Sequence, residues 1–373
     1  MKIVIVRREP GAALSMDVYT DNLVAELKKL RPTWQINEIA PRPWSDKDNL
    51  WRSGTGLRKY YERFWCHPQQ VSQLNADLFH IIDHSNAHVA YWLKRMGKPI
   101  VVTCHDLVQF IYPEILKEQS RLPALSMAAW QFSVRGMLQA DAIVSVSSNT
   151  ASDITKMLHI PPEQITVAFN GVDPQFRALP ENEVTALRQH YALSPQTCLL
   201  NVGSNHQRKN ILTVLQVLMV LKQRGLSVCL WKTGDNFTIE QQAFIRKHGL
   251  EPNILYLGQP SKEALMQIYN AADVLLAPSL YEGFGLTILE AMACGTPVVT
   301  SNVSSLPEVA GDAAILVNPT DVVAIADAVC QLQNDPSYRQ QLINRGIARA
   351  SQFTWQNTAQ QVAQVYEAVL GRR

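Results

Sequence analysis

Short apolar runs that alternate with amphipathic stretches constrain this chain more than any other feature. Lys2 to Val6, Asp77 to Ile82, Pro99 to Thr103, Ala142 to Val146 and Ile165 to Ala168 read as strands. Tyr19 to Leu30, Ala87 to Met96 and Thr150 to Leu158 read as the helices among them. Apolar runs without polar alternation fit strands covered on both faces, which is the condition of a parallel sheet. The pattern returns in the second half, with strands at Leu199 to Val202, Ser227 to Trp231, Ile254 to Leu257, Asp273 to Ala277 and Ala314 to Val317. Its helices are Ile211 to Arg224, Lys262 to Ala271 and Asp321 to Asn334. A chain of 373 residues exceeds what one core usually serves. Two α/β domains are therefore expected, at 1–175 and 176–355, with the polar stretch from Asn170 through Asn182 as the linker.

Composition removes several function classes. A net charge of +2 gives no support to a nucleic-acid-binding stripe, so any anion site must be local. The first loop, RREPGAALSMD, holds a single glycine, Gly11, and a nicotinamide cofactor would need G-x-G-x-x-G there. Six cysteines are scattered without C-x-x-C pairs, as reduced thiols are, which points to the cytosol. The strand-like start MKIVIV leaves no room for a signal peptide, and no apolar run reaches the ~18 residues of a membrane span. His80, His84 and His88 are spaced four apart but lack the Glu of H-E-x-x-H, so no metal site is expected. His105 and Asp106 follow the strand VVT at its carboxyl end, where open α/β sheets bind ligands. From Pro41 to Pro68, Arg and Lys alternate with Trp, Tyr and Phe. That stretch either touches a bulky acceptor or an anionic membrane surface, or packs its aromatics on the core.

The chemistry concentrates in Ala277 to Thr300, APSLYEGFGLTILEAMACGTPVVT. Gly283 and Gly285 flank Phe284 and precede a helix whose first amides are uncovered; such a start attracts anions. Thr287 and Glu290 are spaced as a capping box, so locally Glu290 is either a cap or a ligand. Glu282 sits on a glycine-bounded loop with no helix to cap. Farther back, Gly203 permits a tight turn after a strand, and Arg208 and Lys209 stand just before a helix. Two cations and a helix N-terminus at a strand's carboxyl end suit an anion.

The segments VVTCHDL (101–107), VSSNTASDI (146–154), ITVAFNGVD (165–173), NVGSNHQRKN (201–210) and PSLYEGFGLTILEAMACGTPVV (278–299) resemble the retaining glycosyltransferases of family 4. Glu282 and Glu290, with seven residues between them, match that family's E-x7-E signature. The resemblance implies the GT-B fold, two Rossmann-like doubly wound parallel-sheet domains facing across a cleft. The last helix, 356–373, would join the N-terminal, acceptor-side domain. It further implies Glu282 at the sugar hydroxyls and Glu290 at the nucleotide ribose. The amides of Phe284, Gly285 and Leu286, with Arg208 and Lys209, would meet the diphosphate, and His105 the sugar. Many members carry a Gly-Gly pair where this chain has Gly11, and Pro where it has Thr287.

The expected activity is metal-independent transfer of a hexose from a nucleotide sugar, of GDP-mannose or UDP-glucose type, to a glycan, lipid-linked or small glycoside acceptor. No other cofactor is expected. The alternative is a catalytically idle subunit of the same fold that binds nucleotide or glycan. A cytoplasmic location, with possible contact at the inner face of the membrane, completes the expectation.

Overall fold

The computed structural model describes residues 1–9, 11, 14–41, 60–114, 123–191 and 196–372. The chain divides into two compact units, Met1–Gly171 with Trp355–Arg373, and Val172–Thr354.

The first unit is built on a parallel sheet of six strands in the order β2-β1-β3-β4-β5-β6. The strands are β1 (Lys2–Val6), β2 (Gln35–Ile39), β3 (Leu78–Ile81), β4 (Ile100–Cys104), β5 (Ala142–Ser145) and β6 (Ile165–Val167). Every residue of β3, β4 and β5 is buried, as expected where helices cover both faces. β2 escapes sequence reading because it is an edge strand: in QINEI only Ile36 is buried, so it carries no apolar run. The helices Leu14–Leu30 and Trp355–Gly371 belong to this unit. Tyr366 of the latter places its hydroxyl 2.5 Å from His80 Nδ1, whose Nε2 lies 2.7 Å from the Thr103 hydroxyl. Burial drives the His80 imidazole down to about 3, so it stays neutral inside this network.

The second unit has a parallel sheet in the order β12-β11-β10-β7-β8-β9. Its strands are β7 (Thr197–Gly203), β8 (Val228–Gly234), β9 (Ile254–Tyr256), β10 (Val274–Ala277), β11 (Val298–Ser301) and β12 (Ile315–Val317). The helix Ile211–Gln223 buries Ile211, Val214, Leu218 and Leu221 against the helix Val322–Asn334 and the apolar face of β7 and β8. Both units are thus doubly wound α/β layers, the two halves of the GT-B fold.

Two expectations shift at the boundary. The second unit begins at Val172 rather than after 175, because the Val172 amide donates to Phe353 O and the Asp173 carboxylate receives Lys262 at 2.5 Å. The polar stretch read as linker runs into a helix, Glu181–His190, with no buried residue to betray it as apolar periodicity. Arg188 of this helix donates to both Ala271 O and the Asp273 carboxylate. No helix among the described residues is long and apolar enough to cross a membrane, and all six cysteines are free thiols.

Candidate active site

In the second sheet the strand order reverses between β7 and β10, and the loops leaving their carboxyl ends part there. Open α/β sheets bind ligands at such a point. β7 ends at Gly203, whose φ of +128° only glycine adopts without strain. The 3-10 turn Gln207–Lys209 follows, and Asn210 takes a left-handed conformation with φ of 57°. Its side-chain amide donates to Pro278 O at 3.0 Å and Pro319 O at 2.7 Å, and its oxygen accepts the Thr213 hydroxyl. Leu280 N donates to Arg208 O at 2.7 Å. These bonds tie the loop after β7 to the loop after β10.

The tie brings Arg208, Lys209 and Glu282 together. Arg208 Nη1 lies 2.5 Å from Glu282 Oε2 and 3.0 Å from Tyr281 O, and Lys209 Nζ lies 2.6 Å from Glu282 Oε1. The Ser279 hydroxyl donates to Oε1 as well, at 2.8 Å. Glu282 is 8% exposed. Burial would raise its carboxyl, but Arg208, Lys209 and Ser279 outweigh that and hold it down to about 2. Two cations against one carboxylate leave one positive charge in excess in this cluster. The backbone of Glu282 is pinned too: its N–H donates to Ser304 Oγ, and the Ser304 hydroxyl donates to its carbonyl at 2.7 Å. Ser305 Oγ lies within 2.9 Å of the carbonyls of Glu282 and Phe284.

Gly283, Phe284 and Gly285 carry the chain from this cluster into the helix Leu286–Ala293. Gly285 is its N-cap, with φ of +113° and no side-chain cap. At that φ any side chain would be strained, and a Cβ would also press on Leu306 Cδ2 at 2.9 Å. In this first turn the amides of Leu286 and Thr287 have no carbonyl one turn back to accept them, whereas the Ile288 amide donates to Gly285 O at 3.2 Å. Thr287 lies inside the helix, one position beyond its first residue, so the Thr287–Glu290 capping box does not form. Glu290 instead faces the helix Lys262–Ala271 and accepts the Tyr269 hydroxyl at 2.8 Å. Phe284 is buried edge-on against Phe353, which fixes the turn from behind.

His105 and Gly11 lie in the first unit. His105 follows β4 and is 6% exposed. Its Nε2–H donates to Ile82 O at 2.9 Å, and its ring meets Tyr19 edge-on at 4.8 Å. Burial lowers its pKa, more than nearby Asp83 raises it, so the ring is a neutral imidazole with its lone pair on Nδ1. The Gly11 amide donates to the Asp17 carboxylate at 2.8 Å, and φ there is +81°. His80 lies on β3 rather than on a helix, and His88 pairs with Ser133 Oγ and Arg63 O. Among the described residues no group of three His, Cys, Asp or Glu is placed to hold a metal ion.

Of the aromatic and basic stretch, residues 42–59 lie outside the described residues. Its described end goes both ways. Phe64 packs on His88 and Phe132, while Arg63 donates to Ser85 O and Asn86 Oδ1. Trp65 and Tyr61 stay exposed, at 54% and 57%.

Sequence reading passed over Asn210, Ser279, Ser304, Ser305 and Tyr269, which hold the cluster in shape. Small polar residues in loops are common, and only the strand order shows that these face one another. Seven residues between two glutamates signalled Glu282 and Glu290; nothing comparable marks Ser304.

Residues 185–349 match the family model "Glycosyl transferases group 1", and residues 17–176 match "Glycosyltransferase Family 4". The chain is 32% identical to O-antigen chain mannosyltransferase B of Escherichia coli, over 81% of this chain and 78% of that protein. It is 27% identical to the serotype-specific mannosyltransferase WbdA of Escherichia coli over 87% of this chain, a match that spans 40% of that longer protein. In three dimensions it is similar to Anabaena HepE, solved in complex with UDP, with a TM-score of 0.77 at 17% identity, covering 99% of this chain and 100% of that one. The chain therefore belongs to glycosyltransferase family 4, the group 1 glycosyl transferases, and is an enzyme of that class.

Proposed function

We propose that the chain is a retaining, metal-independent hexosyltransferase that moves a mannose- or glucose-type residue from a nucleoside-diphosphate sugar to a hydroxyl of a glycan, lipid-linked or small glycoside acceptor. One observation carries the reading: Arg208, Lys209 and Glu282 form a largely buried cluster with excess positive charge beside the glycine turn and the uncapped helix start at Gly285–Leu286. Similarity to two mannosyltransferases supports a mannosyl donor, and HepE's complex with UDP supports a nucleotide at this fold.

In this reading the diphosphate lies against the amides of Phe284, Gly285 and Leu286, with Arg208 and Lys209 reaching its oxygens. When the bond from the anomeric carbon to the β-phosphate oxygen breaks, the electron pair stays on that oxygen. Fixed donors stabilise the new charge more as the bond lengthens, which lowers the barrier without a metal ion. Glu282 orients the sugar hydroxyls and holds the two cations in place. The anomeric carbon gains oxocarbenium character, and the acceptor oxygen attacks on the face the diphosphate leaves. Its proton passes to the departing phosphate oxygen, so no protein nucleophile is needed and configuration is retained. Glu290 accepts the ribose hydroxyls.

A panel of GDP- and UDP-sugars tests the reading by donor hydrolysis and by protection against melting, with and without added magnesium. Turnover with at least one donor in the presence of chelator is expected. No response to any nucleotide sugar would refute it.

A further inference from the structure

A lysine ammonium is normally the last group to leave water, yet Lys232, in the middle of β8, is 0% exposed. Its Nζ donates to Gly203 O at 2.6 Å and to Thr233 O at 2.6 Å. No carboxylate among the described residues lies within ion-pairing distance of it. The acid whose charge acts on it is Asp235, whose Oδ2 accepts the Asn205 amide at 3.1 Å. A buried cation held only by carbonyls costs stability, and a hydrophobic residue would fill the space at lower cost. Such a group is retained for something other than folding.

The geometry shows what that is. Gly203 O receives Lys232 Nζ from β8, and the Asp235 amide at 3.2 Å from the same side. In a trans peptide the carbonyl and the following N–H point in opposite directions. With the Gly203 carbonyl fixed on the β8 side, the Ser204 N–H faces the β10 side, where the strand order reverses and Lys209 and Glu282 lie. No described residue accepts the Ser204 N–H. The two turns also pack backbone on backbone: a Cβ on Gly234 would fall 2.3 Å from Gly203 O.

We propose that Lys232 is a positioning residue for the donor, locking the Gly203–Ser204 peptide so that the Ser204 N–H is presented to the diphosphate together with Arg208 and Lys209. This rests on the reading of these loops as the nucleotide-sugar site and adds to it a buried charge and a backbone donor. Burial pulls the Lys232 ammonium down to about 8, against Asp235 and with help from Lys209. Its proton is therefore lost just above neutrality. The groups that face it are Asp235 at the end of β8, Lys209 from the 3-10 turn, and Tyr256 of β9, whose hydroxyl donates to Gly234 O.

The test is Lys232→Met, with GDP and UDP as probes in calorimetric titrations from pH 6.5 to 9.5, beside thermal melting of both proteins. Losing one charge-assisted hydrogen bond at the Gly203 carbonyl is expected to weaken nucleotide binding by about tenfold. Removing a buried cation should leave the melting temperature equal or higher, a split that a purely structural lysine would not produce. Wild-type affinity should fall as the pH rises through 8, and the variant should lack that limb. Lys232→Met binding as tightly as wild type, or melting lower while keeping the wild-type pH profile, would overturn the assignment of Lys232 alone. Wild-type protein that binds neither nucleotide would overturn the donor reading and this assignment with it.

Discussion

The Tyr269 hydroxyl lies 2.8 Å from Glu290 Oε2 and donates to it, joining two successive helices across the site. Burial raises the Glu290 carboxyl, the Tyr269 bond opposes this, and Asp173 adds to the rise, so the group titrates at about 7. Because its folded pKa is raised, its contribution to stability is fully present below the ordinary carboxyl range and is lost as the pH rises through 7. Ligand binding runs the other way. A carboxylate accepts ribose hydroxyls better than the acid does, so nucleotide affinity should rise by up to about tenfold between pH 6 and 8, the ratio set by one proton. Calorimetry with GDP and UDP checks it. Glu290→Gln should flatten this acid limb, and Tyr269→Phe should move it to higher pH. An acid limb that Glu290→Gln leaves in place would exclude Glu290 as its source.

Glu282 has a double part, and the substitution that probes it must respect both. With Arg208 and Lys209 both resting on this carboxylate, Glu282→Ala would leave two partly buried cations unpaired, at a cost of about 3 kcal/mol. Glu282→Gln keeps the shape and a hydrogen bond. We expect kcat to fall by about 100-fold or more in the Gln variant, with a smaller loss in melting temperature. Unchanged kcat would contradict a role at the reacting sugar. Since its pKa is held at about 2, the stability this carboxylate lends is present above the usual carboxyl range and is lost as the pH falls toward 2. Wild type should therefore lose melting temperature on acidification more steeply than Glu282→Gln does.

Asp273 separates stability from catalysis. It precedes β10 and accepts Arg188 through both guanidinium nitrogens at 3.1 Å, Arg339 at 3.0 Å and the Cys198 amide at 2.8 Å. One carboxylate thereby joins the helices Glu181–His190 and Pro336–Ala350 to the strands β7 and β10. Both arginines are partly in water, so Asp273→Asn should cost about 2 kcal/mol, less than a fully buried pair would. Chemical denaturation measures this directly. KM for the donor should stay within about twofold, because no ligand-facing group moves. A variant as stable as wild type would show that the clip is redundant.

How far the chain could be read without coordinates depended on whether a residue's role was periodic. β1 was found at its observed bounds because KIVIV is a continuous apolar run, and the helix Lys262–Ala271 because its apolar positions recur at helical spacing. β2 and the helix Glu181–His190 were missed for the opposite reason: one buries a single residue and the other none. In the site, Arg208, Lys209 and Glu282 were legible as types at strand ends, but not their mutual ion pairs, since Lys209 and Glu282 stand 73 positions apart in the chain. Thr287 and Glu290 illustrate the converse error. Their spacing is that of a capping box, but the glycine at 285 starts the helix two residues early and leaves Glu290 to Tyr269. Lys232 was unreadable, because a lysine inside VCLWKTG gives no sign that its tip reaches a carbonyl on the next strand.

The exposed aromatics of the first unit bear on a last expectation, weak binding to anionic membranes. Trp65 stands edge-on to Trp92 at 6.1 Å and is 54% exposed, next to Tyr61 at 57%. Trp92 belongs to the helix Ala90–Arg95, which ends in Lys94 and Arg95. Aromatics flanked by cations suit an interface where rings reach the headgroups and charges meet phosphate. Flotation with vesicles containing about a third phosphatidylserine or phosphatidylglycerol should recover part of the protein at low ionic strength. It should recover little at roughly 0.5 M salt, where the screening length is near 4 Å. Trp65→Ser should reduce recovery on acidic vesicles while leaving nucleotide binding unchanged, since the residues read as holding the nucleotide belong to the second unit. Recovery on neutral vesicles alone, or none at any salt, would show that these rings serve the acceptor or the fold rather than a charged surface.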